Sequence, residues 1–479
     1  MSSKHPAVTT LEGTAAHGGR ANPGFLLSPR SPVHVSTLFI LAALVCGTSG
    51  CRPGASLAKT PPVRACRETA AAAGNADASL PGPCEVILAP HSGTSRLDGE
   101  IRRLQTRLRT ETNPFHYVEN LGWLFVAKAR ESFDPGYYKL AEQCALCLDA
   151  HQPHSAEALL LRGHVLQNLH KFKDAEGLGR ELVARRGLSF DYGLLGDALM
   201  EQGRLDEAAT AYQAMVDQKP ELQAYARIAH LRWLKGDLAG ATALMRLAAN
   251  AASPNSPETA AWVNTRLALL QFQNGDLAQA KGTCGVALDY QPDYAPALLL
   301  RGRLLLAAGE TGAAVAALQR AVQLNPLPDY QWTFSEALRA AGRGAEAAEV
   351  EAALARDGAA ADPRTFALYL ASRGQSPATA LELARDELNT RRDVFTHDAV
   401  AWALAANGQI EQARSEMQLA LAQGTRDARL FLHAGAIAAR AGQKQEARAW
   451  LDKLTPMQPL LLPSERAECR NLALQLATD

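Results

Sequence analysis

Apolar residues recur at three- and four-residue spacing along most of the chain after residue 97. That spacing stacks them on one side of an α-helix. Leu97, Ile101, Leu104 and Leu108 form the first stripe, with Arg102, Arg103, Arg107 and Arg109 pointing elsewhere, and Thr112-Asn113-Pro114 closes it. From residue 115 to 459 the stripes come in pairs around a recurring turn. Glycine stands at 136, 203, 236, 275, 309, 342, 374, 408 and 442, with His170 in the remaining register, so the intervals are 34, 33, 33, 39, 34, 33, 32, 34 and 34. Seven residues before each turn comes a small residue: Ala129, Gly163, Gly196, Ala229, Ala268, Gly302, Ser335, Ala367, Ala401 and Gly435. Five residues after it alanine appears in every unit but one, where Thr379 precedes Ala380. Small residues on both helices let two antiparallel backbones approach closely, and glycine suits a left-handed helix cap. Acids then open the second helix, as in Asp206-Glu207, which suits its dipole. A period of this size predicts an all-α solenoid of about ten helix pairs.

The units run Tyr192-x2-Leu195-Gly196-x2-Leu199, then Ala208-x3-Tyr212, then Pro220, and again Leu298, Gly302, Leu305, Ala314, Leu318 and Pro326. This resembles the tetratricopeptide repeat over residues 115–459. The resemblance implies a right-handed α-α superhelix with capping helices, expected at 94–112 and within 460–479. Three units depart from it: one carries the insertion Ala252–Pro257, one shifts after Gly374, and one has Gly177 and Gly179 in its second helix. In the family, first-helix residues line a concave groove. Here those positions supply His164, Asp197, Arg227, His230, Trp233, Trp262, Arg266, Phe272, Arg303, Trp332, Glu336 and Trp402. Tryptophan and arginine dominate interface hot spots, so the resemblance implies a peptide or protein held by aromatic contacts and Arg–carboxylate pairs. The alternative is that these tryptophans are the repeat's own packing residues. The inward Lys/Asn set that clamps a C-terminal carboxylate in some repeats of this family is absent.

Residues 1–50 read as a leader. The apolar run Val35–Cys46, followed by Gly47-Thr48-Ser49-Gly50-Cys51, fits a secretory segment too short to span a membrane. It resembles a bacterial lipoprotein lipobox, although Thr48 stands where leucine is usual. That resemblance implies lipidation of Cys51 and export to the cell envelope, with a lipid anchor in the outer membrane facing the periplasm. Residues 51–93, with six prolines, read as a disordered tether. Cys66 and Cys84 lie in it and could pair in an oxidising compartment or stay single.

Lysine plus arginine total 49, as do aspartate plus glutamate, so no basic field holds nucleic acid. HExxH, GxSxG and GxxxxGK[ST] are absent. Gly342-Arg-Gly344 imitates a dinucleotide fingerprint but sits on a repeat turn with no strand before it. Cys144, Cys147, His151 and His154 fall within about 80° on a helix and are metal-ligand types, against which small buried cysteines are common core residues. Cys284 reads as core and Cys469 lies on the last cap. The sequence therefore predicts an envelope-tethered, non-enzymatic scaffold with no cofactor or small-molecule substrate. Its alternatives are a metal-handling or catalytic protein using the Cys/His cluster and a cytoplasmic adaptor.

Overall fold

The structure, a computed structural model, describes residues 82–111 and 114–477. Cys51 and Cys66, the leader and most of the tether lie outside the described residues. The last part of the stretch read as tether, from residue 82, is ordered: α1 (Pro83–Val86) precedes α2 (Arg96–Leu108), the first cap. Ten pairs follow. They begin with α3 (Phe115–Ser132) and α4 (Gly136–His151), α5 (Ala156–Asn168) and α6 (Phe172–Arg185), then α7 (Ser189–Glu201) and α8 (Leu205–Gln218). Next are α9 (Leu222–Leu234) and α10 (Leu238–Asn250), α11 (Pro257–Gln273) and α12 (Leu277–Tyr290), then α13 (Ala295–Ala307) and α14 (Thr311–Leu324). After α15 (Pro328–Ala340) and α16 (Gly344–Ala361) come α17 (Pro363–Arg373) and α18 (Pro377–Thr390). The last pairs are α19 (Val394–Ala406) with α20 (Ile410–Leu421) and α21 (Ala428–Arg440) with α22 (Lys444–Leu454). A short 3-10 segment, Thr455–Leu460, leads into the terminal helix α23 (Pro463–Ala477). No strand occurs among the described residues.

The small-residue columns are the seams of the pairs. Ala141, Ala175, Ala208, Ala241, Ala280, Ala314, Ala347, Ala380, Ala413 and Ala447 are all fully buried. Opposite them, a Cβ on Gly196 would lie 2.4 Å from the Tyr212 ring, and one on Gly302 would lie 2.3 Å from Leu318. The eight turn glycines from 203 to 442 have positive φ, as does His170 at 57°. Two sequence readings shift. The left-handed residue of the first turn is Phe133 (φ 55°), and Gly136 is the first residue of α4, so that unit's register moves by three. Gly179, one of the two glycines that set that unit apart, is a packing residue: a Cβ there would lie 3.0 Å from the Leu195 backbone.

The array coils until its C-terminal repeats meet the first helices of earlier ones. The Arg392 amide donates to the Glu201 carbonyl (3.1 Å), and Thr425 Oγ1 donates to the Leu234 carbonyl. Trp233 Nε1 donates to the Arg426 carbonyl (3.2 Å) and Gln273 Nε2 to Asp427 (3.1 Å). Further along, the Ser464 amide and hydroxyl both donate to Glu336, and Arg466 donates to the Leu306 carbonyl. These partners stand 128 to 221 residues apart if Arg130–Glu258 and Arg391–His170 are included. Two turn glycines serve this contact as well as their own turn. A Cβ on Gly203 would lie 2.3 Å from the Arg392 carbonyl, and one on Gly236 2.5 Å from that of Gly424. Close backbone approach of this kind requires glycine.

Candidate functional site

The coil contacts decide what the expected groove residues do. Ten of the twelve are between 1% and 7% exposed: His164, Asp197, Arg227, His230, Trp233, Trp262, Phe272, Trp332, Glu336 and Trp402. Arg266 and Arg303 are partly buried. Their partners are other parts of the chain. Arg227 grips Asp197 through two 2.8 Å bonds, and the Tyr212 hydroxyl donates to the same carboxylate at 2.7 Å. His230 Nδ1 meets Arg266 at 2.9 Å. Arg303 pairs with Asp329, and Arg429 lies 4.8 Å over the Trp332 ring. Trp402 stacks on His433 at 4.1 Å and donates to Ser372. His164 packs against Trp123.

Burial pushes His164 down to about 3, with help from the Arg130 and Arg227 charges. Burial, and then Arg266, holds His230 well below the usual histidine range. Both are therefore neutral rings in the wall, since an interior deprived of water disfavours the charged form. At the junction with the 391–393 turn, burial raises the Glu201 carboxyl, while Arg364 and Arg391 hold Asp393 low against its own burial. The inner face is thus largely covered by the chain itself rather than exposed, although His164 Nε2, Trp262 Nε1, Arg303 Nε and Trp332 Nε1 are buried there without a hydrogen-bond partner.

The Cys/His cluster does not assemble as a four-ligand set. Cys147 forms a disulfide with Cys84, which also answers how Cys84 pairs. Cys144 is fully buried, and burial pushes its thiol well above the ordinary range, which leaves it inert. His154 follows the end of α4 with φ 57°, its amide bonded to Asp149 and its carbonyl to Arg185. Cys284 is buried, as expected of a core position, and Cys469 on the terminal helix is buried too.

Sequence reasoning missed a second concavity. A groove of about 440 Å³ opens between α10 and α12, with α11 as its floor. Asn264, Leu267 and Gln271 share one face of α11 by their spacing, opposite the face carrying Trp262, Arg266 and Gln273. Asn250, Gln279, Thr283, Val286 and Tyr290 line the walls, and no charged side chain lines the groove. Gln271 is 5% exposed and its Oε1 has no hydrogen-bond partner, although its amide reaches Gln279 at 3.5 Å. Val286, on α12, stands 43% exposed at the wall, and Leu247, on α10 outside the lining, is 49% exposed. The one signal in the sequence was the 39-residue interval: the inserted Ala252–Pro257 lengthens this unit.

The repeats identify the chain. The tetratricopeptide-repeat family matches residues 194–257, 271–338 and 400–460. With ten helix pairs of one design, the chain is a tetratricopeptide-repeat protein, a class that generally binds protein or peptide partners. Among solved structures it is similar to the C-terminal part of a tetratricopeptide-repeat protein from Cytophaga hutchinsonii, at 18% identity over 63% of this chain and 98% of that one (TM-score 0.30). It is also similar to yeast Tom70, at 13% identity over 80% and 92% (TM-score 0.31). A human IFIT1 dimer with PPP-AAAA matches at 11% identity over 78% and 93% (TM-score 0.43). No curated protein matches the sequence.

Proposed function

We propose that this chain is a non-enzymatic scaffold, tethered in a bacterial envelope through Cys51, that holds an extended polypeptide segment of a partner in the α10–α12 groove. The observation that carries the site is the pairing of an open, uncharged groove with an inner face engaged by the chain itself. Carboxamides offer one donor group and one acceptor each, the same pattern a peptide main chain presents. Gln271 Oε1 is buried without a hydrogen-bond partner, a state that costs about 1–3 kcal/mol, and turning that side chain toward the groove would let a bound segment satisfy it. Leu267 and Val286 supply apolar contact beside those amides. A charged segment would be desolvated there without a countercharge, so the partner segment is neutral where it enters.

A random-peptide display library selected on the native protein tests the groove. The selected peptides should bind wild type and lose roughly tenfold or more in affinity to Gln279→Arg and Val286→Arg, with helicity unchanged. Peptides that bind both variants as well as wild type would remove the groove from the reading, and failure to select any peptide would remove a peptide partner.

Export and tethering rest on the lipobox-like Gly47–Cys51 segment and are supported by the Cys84–Cys147 disulfide, a bond that persists in oxidising compartments. Metabolic labelling with palmitate should mark the wild-type chain and not Cys51→Ser. Label retained in that variant rules out the anchor.

A further inference from the structure

Cys84 lies in α1, Cys147 in α4, and His151 one helical turn beyond Cys147. The His151 Nε2 is 3.6 Å from Cys84 Sγ, and the two sulfurs and a ring nitrogen all lie within 4.8 Å of one another. Cys147 is buried, Cys84 partly so, and His151 exposed, so the cluster has a closed floor and an open side.

The bridge is not what alone holds the N-terminal arm. Ile87 is 2% exposed in the first core. Gln105 Nε2 donates to the carbonyls of Ile87 (2.9 Å) and Ala89 (2.8 Å), and Arg109 donates to that of Leu88 (2.7 Å). Cleaving the sulfur–sulfur bond therefore leaves Cys84 beside Cys147 and His151. Two thiolates and an imidazole are zinc ligands, with Zn–S about 2.3 Å and Zn–N about 2.0–2.1 Å. A tetrahedral ion then needs its two sulfurs roughly 3.8 Å apart, within the reach the three side chains already share.

We propose that this disulfide is the oxidised form of a zinc site, with Cys84, Cys147 and His151 as protein ligands and a fourth position open to water. A dithiol reductant breaks the bridge, becoming a disulfide itself and leaving two thiols. Zinc binding then displaces both thiol protons, which pass to solvent, while neutral His151 contributes its nitrogen lone pair. The metal replaces the covalent staple, so the arm stays fastened to α4 in either redox state.

The test uses the full-length chain, reduced with a water-soluble phosphine, which takes up one oxygen from water as the bridge opens. Zinc is measured by native mass spectrometry and by competition with a chromophoric chelator, and cobalt(II) replaces zinc for spectroscopy. The reduced protein should bind one zinc and show a sulfur-to-cobalt charge-transfer band; the oxidised protein should do neither. Cys84→Ser, on the arm that precedes the repeats, should lose the band, His151→Ala should weaken zinc by roughly tenfold or more, and Cys144→Ser should change nothing. Absence of zinc in the reduced wild type overturns the proposal. So does a site that survives Cys84→Ser or vanishes in Cys144→Ser.

Discussion

Gly196→Leu should lower the stability of the array by about 3 kcal/mol or more, the upper end of what overpacking a filled core costs. The position has no room. Its Cβ alone would lie 2.4 Å from the Tyr212 ring, which is fully buried and tied through its hydroxyl to Asp197. The ring cannot retreat without breaking that bond, and it packs beside Ala208 in the same seam. Repeat arrays take their stability from neighbour contacts, so the damage should spread to the pairs on either side. Thermal unfolding followed by circular dichroism checks this, with Gly312→Ala as the control. Gly312 sits in α14 with nothing near its added Cβ and no positive φ, so that substitution should be neutral or slightly stabilising. Equal midpoints for Gly196→Leu and wild type would show that the seam is not where the helices meet.

The second large effect separates a wall from a ligand clamp. Asp197→Ala should cost about 3–5 kcal/mol, because it strands the Arg227 guanidinium, 4% exposed, without its countercharge and removes the acceptor of the Tyr212 hydroxyl. Replacing the pair together, as Asp197→Leu with Arg227→Met, should recover most of that loss, since the cost lies in the uncompensated buried charge. If Asp197 and Arg227 were instead an open clamp awaiting a partner, Asp197→Ala would leave the unfolding midpoint almost unmoved. Urea unfolding of the three proteins distinguishes the two outcomes.

The pairwise architecture could be read from the chain because it rests on contacts between residues about twelve positions apart. Alanine and glycine at fixed distances from a turn state directly where two helices touch. The first turn escaped that reading, since spacing alone cannot tell a glycine at the start of a helix from one in the left-handed turn, and Phe133 is an unusual residue for that conformation. The inner-face residues were placed on the correct helices, but their exposure was misjudged. Whether Trp233 meets water or the Arg426 carbonyl depends on the pitch of the superhelix, a sum of small rotations over six repeats that no local pattern records. Gly203 and Gly236 carried a hint, but a turn glycine already has a sufficient reason in its positive φ. The Cys84–Cys147 bond was hidden for a similar reason: 63 residues separate the two, and one of them lay in a segment whose prolines argued for a tether.

The C-terminal repeats close the coil against the first helices of earlier repeats. Spin labels on the exposed positions of Lys235→Cys and Ala422→Cys, in a background whose other unpaired cysteines are serine, measure that closure by pulsed electron resonance. The backbone meeting of Gly236 with Gly424 predicts one short, narrow distance between them. A long and broad distribution, as from an open spiral whose inner face is bathed in solvent, would contradict the closed coil.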